Sequence, residues 1–280
     1  VVARAARRAG IPVLFLCHQL VEPDSSAAEW RIARLGLGLG NAYVTMTMRE
    51  HEIVAQAFPG RPIGDGFHPV YDQLPRSGMT RAAARAQFGI AEDARLLLFF
   101  GFVRRYKGLG YLLDALAQAP ADVRLLIAGE FWEDEAAYRQ QIDRLGLRER
   151  VLIESRYIPN EAIEPYFVAA DGLVLPYLSG SQSGVGMLAV DYELPVIASA
   201  VGGLGETIID GDNGLVVPPA DSAALAVAIG RLFSDRRAEQ LRAGMARMRI
   251  RRSWDALVDI IDTTVAAIGE PAEQRRSHAQ

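Results

Sequence analysis

Two short stretches of this chain carry residue types suited to handling phosphate. Phe102-Val103-Arg104-Arg105-Tyr106-Lys107-Gly108 follows the apolar run LLLFFG and leads into a helix with leucines at helical spacing. Cations placed at the carboxyl end of a parallel strand and the mouth of a helix can neutralise a departing diphosphate, and Lys107 and Arg104 are the candidates. The plainer reading is solvated surface charge. The second stretch is Ser179-Gly180-Ser181-Gln182-Ser183-Gly184, set between an apolar strand at Leu173 to Leu175 and a helix, with a further strand at Pro195 to Ala198. In a parallel sheet this loop lies at the strands' carboxyl ends, where backbone N–H groups at a helix N-terminus face an anion. Ser and Gly there would equally make a tight, capped turn. The two stretches converge on one sheet edge, with room between them for a nucleoside diphosphate.

The elements that must position these residues alternate regularly. Residues 3 to 9 suit a helix ended by Gly10, and Ile11 to Leu16 is a short continuous apolar run of the buried parallel-strand type, with His18 just past it. A lone His is commonly structural, yet a strand's carboxyl end is a functional position. Residues 27 to 39 read as a helix, Ala42 to Met46 as a strand and Arg49 to Phe58 as a helix stopped by Pro59-Gly60. The glycines at 36, 38 and 40 precede a strand and lack the spacing of a dinucleotide fingerprint. From Arg61 to Thr80 six Pro and Gly residues mark a linker, so a domain boundary is expected there, with residues 1–80 forming one domain plus linker and 81–252 the other.

Beyond the linker, strands are expected at 96–102, 123–128, 151–153, 173–175, 195–198 and 214–217, alternating with helices. Asn160 is read as a cap for the helix carrying Ile163 and Phe167, and Asp221 as the cap of the helix after the last strand. This is the pattern of an α/β, doubly wound parallel sheet. An amphipathic helix from Trp254 to Ile268 is expected to pack back across the domain boundary, with a disordered tail after Pro271.

Composition narrows the function. Of 280 residues, 50% are hydrophobic and the net charge is -4, which is ordinary for a globular protein and not the strong basicity of a nucleic-acid binder. The single cysteine, Cys17, forms no internal disulfide, and no Cys/His cluster has metal spacing, so a metal-free protein of a reducing, cytoplasmic compartment is expected. No apolar segment approaches the roughly 18 residues needed to span a bilayer.

The order GFVRRYKGLGYLLDAL, LLIAGEF, RYIPNEAIEPYFVAADGLVLPY, SGSQSGV, LPVIASAVGGLGETI and DGDNGLVVPPAD resembles the C-terminal, donor-binding half of a family 4 glycosyltransferase with the GT-B fold, from about Arg95 to Phe233. The strand ending in His18 and the segment FHPVYD are similar to the second half of that family's N-terminal Rossmann-like domain. The resemblance implies retaining, metal-independent transfer of a sugar from a nucleotide-diphosphate sugar to an acceptor hydroxyl, with no cofactor, in bacterial polysaccharide or glycoconjugate synthesis. It implies that Lys107 and Arg104 stabilise the leaving diphosphate and that His18 lies near the donor's reacting end. Gly101, Gly129, Glu130, Tyr157 and Ile158 would border the nucleotide, and Ser181, Gln182, Ser183, Gly184 and Val185 would contact sugar or phosphate. The partners implied are a nucleotide-sugar donor and a glycan or lipid-linked acceptor, the latter leaving peripheral contact with the inner membrane face open. A non-catalytic nucleotide-sugar binding module and a nucleotide-sugar epimerase share the architecture.

Three departures qualify the resemblance. The family's E-x7-E pair falls on Gly180 and Leu188, neither acidic, so Gln182 and Ser183 are expected to supply neutral contacts in a subgroup with an SQSGV loop. The Arg that often follows the strand's Gly is Phe102, with Arg104 two residues on. The first half of the N-terminal domain has no counterpart, and an unpaired sheet edge is expected in what remains.

Overall fold

The computed structural model describes residues 1–18, 20, 26–180 and 183–269. The chain divides into two compact units, one of residues 1–69 together with the chain from Arg252 onward, the other of Val70 to Arg251. Ser181, Gln182 and the expected tail lie outside the described residues.

The first unit begins with α1 (Val2–Arg8), β1 (Leu14–Cys17), α2 (Ala27–Leu37), β2 (Ala42–Thr45), α3 (Met48–Ala57) and β3 (Ile63–Asp65). Its three strands are parallel in the order β1-β2-β3. β2 is buried along its whole length, as the middle strand of a covered parallel sheet must be. β3 lies inside the stretch expected to be only linker. It is three residues long and carries a single apolar side chain, too little for a periodic signal.

The second unit holds α4 (Arg81–Gln87), β4 (Arg95–Phe100), α5 (Leu109–Gln118), β5 (Val123–Ala128), α6 (Glu135–Arg144), β6 (Val151–Glu154), α7 (Glu164–Ala169), β7 (Gly172–Leu175), α8 (Gly184–Asp191), β8 (Val196–Ser199), α9 (Leu204–Thr207), β9 (Gly214–Val217), α10 (Ser222–Leu232) and α11 (Arg237–Arg251). The six strands are all parallel in the order β6-β5-β4-β7-β8-β9. Their sequence order therefore reverses at β4, the first strand of the unit, and a crevice opens where the connections leave in opposite directions. Alternate residues of β4 feed two cores. Leu96, Leu98 and Phe100 pack with Met187, Leu188 and Met245, while Leu97 and Phe99 pack with Leu109, Leu112 and Leu116 on the other face.

Residues 70 to 80 belong to this second unit and not to the linker expected from their prolines and glycines. Val70 is buried in its core. The Glu164 carboxylate accepts hydrogen bonds from the backbone N–H groups of Ser77, Gly78 and Met79 and from the Ser77 hydroxyl. Arg76 pairs with the fully buried Asp191 and lies over the Tyr192 ring, 4.1 Å from its centroid. The breakers shape a loop whose unpaired backbone groups a distant carboxylate satisfies. α11 was not anticipated, since its burial through Leu241, Gly244, Met245 and Met248 is interrupted by arginines. α12 (Trp254–Ala266) belongs to the first unit, with Leu257 packed against Val44 and Met46. Gly64 lets it approach β3, because a Cβ there would overlap Thr264.

Candidate functional site

The crevice beside β4 is built from two loops in close backbone contact. After β4 the chain turns at Gly101 (φ +94°) and forms a 3-10 turn over Arg105–Lys107 that ends at Gly108 (φ +71°). A Cβ on Gly108 would overlap the carbonyl oxygen of Pro176, just past β7, so only glycine lets the two loops meet. The Leu178 N–H donates to the Tyr106 carbonyl at 2.7 Å, tying the loops together. Gly129, past β5, likewise lies against the Gly101 carbonyl.

A cavity of about 450 Å³ lies in this crevice. It is lined by Tyr106 and Lys107, by Ser183, Gly184, Val185 and Leu188 at the N-terminus of α8, and by Tyr177. Tyr71, Leu74 and Asn160 complete the lining. Lys107 is 7% exposed, and its Nζ lies 3.1 Å from where a Cβ on Gly101 would stand. The ammonium has no hydrogen-bond or ion-pair partner among the described residues; it faces the Tyr177 ring, 5.9 Å from the centroid. Burial, reinforced by the charge of Arg104, pushes its pKa down to about 8. A buried cation without a counter-charge is costly unless an anion arrives to pair with it. In the same lining, Ser183 caps α8 by accepting the Gly186 N–H at 3.1 Å, and its hydroxyl lies 3.2 Å from that of Tyr177. Burial pushes the Tyr177 phenol up to about 12.

The structure brings together Gly101, Lys107, Ser183, Gly184, Val185 and Leu188. Leu188 puts an apolar side chain into the cavity where an acidic residue was the family pattern. Arg104 does not line this cavity. It lies over the Trp132 ring, 3.9 Å from the centroid, in an adjacent cavity of about 550 Å³ that Tyr106 borders on both sides. Glu130 is exposed, with its backbone carbonyl accepting the Val103 N–H at 2.8 Å. Tyr157 is 60% exposed and its ring stacks against Phe102, centroids 6.3 Å apart. The Ile158 side chain is buried in the core, so only its backbone is left to face a ligand. His18 stands past β1 in the first unit, its ring 6.2 Å from that of His68.

Asn160 is a correction in the opposite sense. It makes no helix cap; it opens a 3-10 turn over Asn160–Ala162, and α7 begins with Pro in its first turn and no side-chain cap. Pro supplies the helical φ there, and Asn160 lines the cavity instead. Tyr71, Leu74, Tyr106 and Tyr177 were not singled out from the sequence. The only signal for them was adjacency to quoted segments, since an aromatic residue after a strand ordinarily reads as core.

Residues 94–235, about half of the chain, match the family described as Glycosyl transferases group 1. A D-inositol 3-phosphate glycosyltransferase 1 of Catenulispora acidiphila is 31% identical over 281 residues, covering 92% of this chain and 67% of that protein. The chain belongs to the group 1 glycosyltransferase family. Another relative, the D-inositol 3-phosphate glycosyltransferase of Xylanimonas cellulosilytica, is 33% identical over 205 residues, which is 70% of this chain and 48% of the relative. The chain thus spans about half the length of several of the curated relatives it matches. Among solved structures, Thermosynechococcus elongatus sucrose-phosphate synthase superposes with a TM-score of 0.72 at 25% identity, over 94% of this chain and 70% of that one. Anabaena HepE, determined in complex with UDP, gives a TM-score of 0.78 at 23% identity, over 95% and 75%. The fold is therefore GT-B, α/β with parallel sheets. No helix among the described residues is long and apolar enough to cross a membrane.

Proposed function

We propose that this chain carries the donor site of a retaining family 4 glycosyltransferase that moves a sugar from a nucleotide-diphosphate sugar to an acceptor hydroxyl. The observation that carries the reading is Lys107: a buried cation, unpaired among the described residues, lining the same cavity at the sheet's switch point as the N-terminus of an eight-residue helix. In transfer, the bond between the sugar's anomeric carbon and the diphosphate oxygen breaks as the acceptor oxygen bonds to that carbon and passes its proton to an oxygen of the departing diphosphate. The diphosphate leaves with the bonding electrons, and Lys107 stabilises the charge that develops on it. Fixed positive charge at the leaving group suits a metal-independent reaction. UDP is a reasonable first nucleotide, since HepE is known with UDP and with UDP-glucose. The relatives' names point to a hydroxylated, phosphate-bearing acceptor, and a bacterial glycoconjugate or polysaccharide pathway at the cytoplasmic side of the membrane fits such a substrate pair. His18, Gln182, Ser181 and the backbone at Gly129, Glu130, Tyr157 and Ile158 are the further candidates for donor contact.

The test is calorimetric titration of UDP into the chain and its Lys107→Ala variant. Loss of one charge-assisted contact predicts weaker binding by about tenfold to a hundredfold. EDTA is expected to change neither value. Equal UDP affinity in the two proteins would remove Lys107 from the donor site.

A further inference from the structure

Beside Lys107 the same cavity holds a pair of groups whose protons can be counted. Tyr177 and Ser183 both line it, and their hydroxyl oxygens lie 3.2 Å apart. The Ser183 oxygen also accepts the Gly186 N–H at 3.1 Å. Two hydroxyls carry two protons, and one of these lies between the two oxygens. The other meets no acceptor among the described residues. Whichever hydroxyl donates to its neighbour, one O–H is left over, in a cavity that no carboxylate among the described residues lines. The phenol is the stronger acid of the two and so the better donor. Burial, which pushes it up to about 12, keeps its proton in place. Donation from Tyr177 fills the second lone pair of Ser183, the first being taken by Gly186. The leftover proton then belongs to Ser183, which is half-buried, and not to Tyr177, which is only 4% exposed.

We propose that Tyr177 is a positioning residue for the donor's diphosphate: by donating to Ser183 it turns that hydroxyl into an obligate donor, aimed at a phosphate oxygen. The oxygens of an ionised diphosphate only accept, so a serine with no lone pair to spare matches them, whereas a serine free to accept does not discriminate. Lys107 and Ser183 then give the diphosphate two donors in one cavity, one charged and one neutral. Ser183 remains the cap of α8, so the contact also fixes the ligand against that helix. The assignment rests on the donor reading above.

UDP is titrated by calorimetry into the chain and into Ser183→Gly, Tyr177→Phe and the double variant. Glycine is the replacement because it costs an N-cap far less than alanine does. Ser183→Gly is expected to weaken UDP about tenfold, the loss of one hydrogen bond to a charged group. Tyr177→Phe should weaken it about threefold, since the serine O–H regains its three staggered positions. Because Tyr177 acts through Ser183, the double variant should bind no more weakly than Ser183→Gly. A further threefold loss on adding Tyr177→Phe to Ser183→Gly would overturn the proposal by giving Tyr177 a contact of its own, and so would unchanged affinity in either single variant. Melting curves report whether each variant is folded, and Ser183→Ala repeats the cycle should the glycine variant unfold. If UDP fails to bind the unsubstituted chain, the donor reading falls and takes this one with it. If UDP binds through Lys107 but the two single effects multiply, the role of Tyr177 alone is lost.

Discussion

At the scale of single residues, Lys107 makes donor binding sensitive to pH in a defined direction. Its pKa of about 8 lies below the ordinary lysine value because burial penalises the charged form. A diphosphate favours that charged form, so binding above pH 8 must be accompanied by proton uptake. UDP affinity should therefore be flat just below pH 8 and weaken above it, approaching about tenfold per pH unit. In Lys107→Ala the slope above pH 8 should vanish, and a slope that persists would place the titrating group elsewhere. The same shift has a stability consequence of opposite sense. Between about pH 8 and the unfolded lysine's pKa the unfolded chain binds more protons, so the ligand-free fold gains stability as pH rises through that window.

At the scale of elements, the cavity depends on the segment before α4 being held in place. Burial by itself would raise the Glu164 pKa, but hydrogen bonds from Ser77, Met79 and Gly78 outweigh it and hold the carboxyl below its usual range. Its contribution is thus present at neutral pH and lost as pH falls through that lowered value. Tyr71, six residues before Ser77, has its hydroxyl 3.1 Å from where a Cβ on Gly184 would stand, so the tether and the cavity wall are one segment. Glu164→Ala should cost about 1–3 kcal/mol by leaving backbone donors unpaired. It should also weaken UDP binding with Lys107 intact. A fall in stability with unchanged UDP affinity, measured by denaturant unfolding and calorimetry, would show that the segment does not shape the site.

At the scale of the whole molecule, the polypeptide leaves the first unit near Pro69 and returns to it near Arg252, so α12 packs against a sheet laid down far earlier in the chain. Leu257 is 3% exposed against Val44 and Met46. Leu257→Ala should destabilise the first unit by about 2–5 kcal/mol. Hydrogen exchange should then quicken in Ala42–Thr45 and leave Arg95–Phe100 protected. Equal quickening in both strands would mean that the units do not unfold separately.

The sequence by itself determined the parallel α/β fold, the placing of its long strands and the two loops that meet at β4. Buried parallel strands are continuous apolar runs and glycine marks close backbone approach, so both leave local signals, as in LLLFFG and at Gly101 and Gly108. Only the tertiary structure decided what those loops present. Lys107 and Arg104, three residues apart, line different cavities because a 3-10 turn and the stacking on Trp132 send them different ways. Asn160 leaves its expected cap to line the cavity, and Tyr71 reaches α8 from far along the chain because Glu164 and Asp191 anchor the segment beside it. Side-chain direction and long-range contact depend on what packs from distant elements, and no local pattern of residues encodes them.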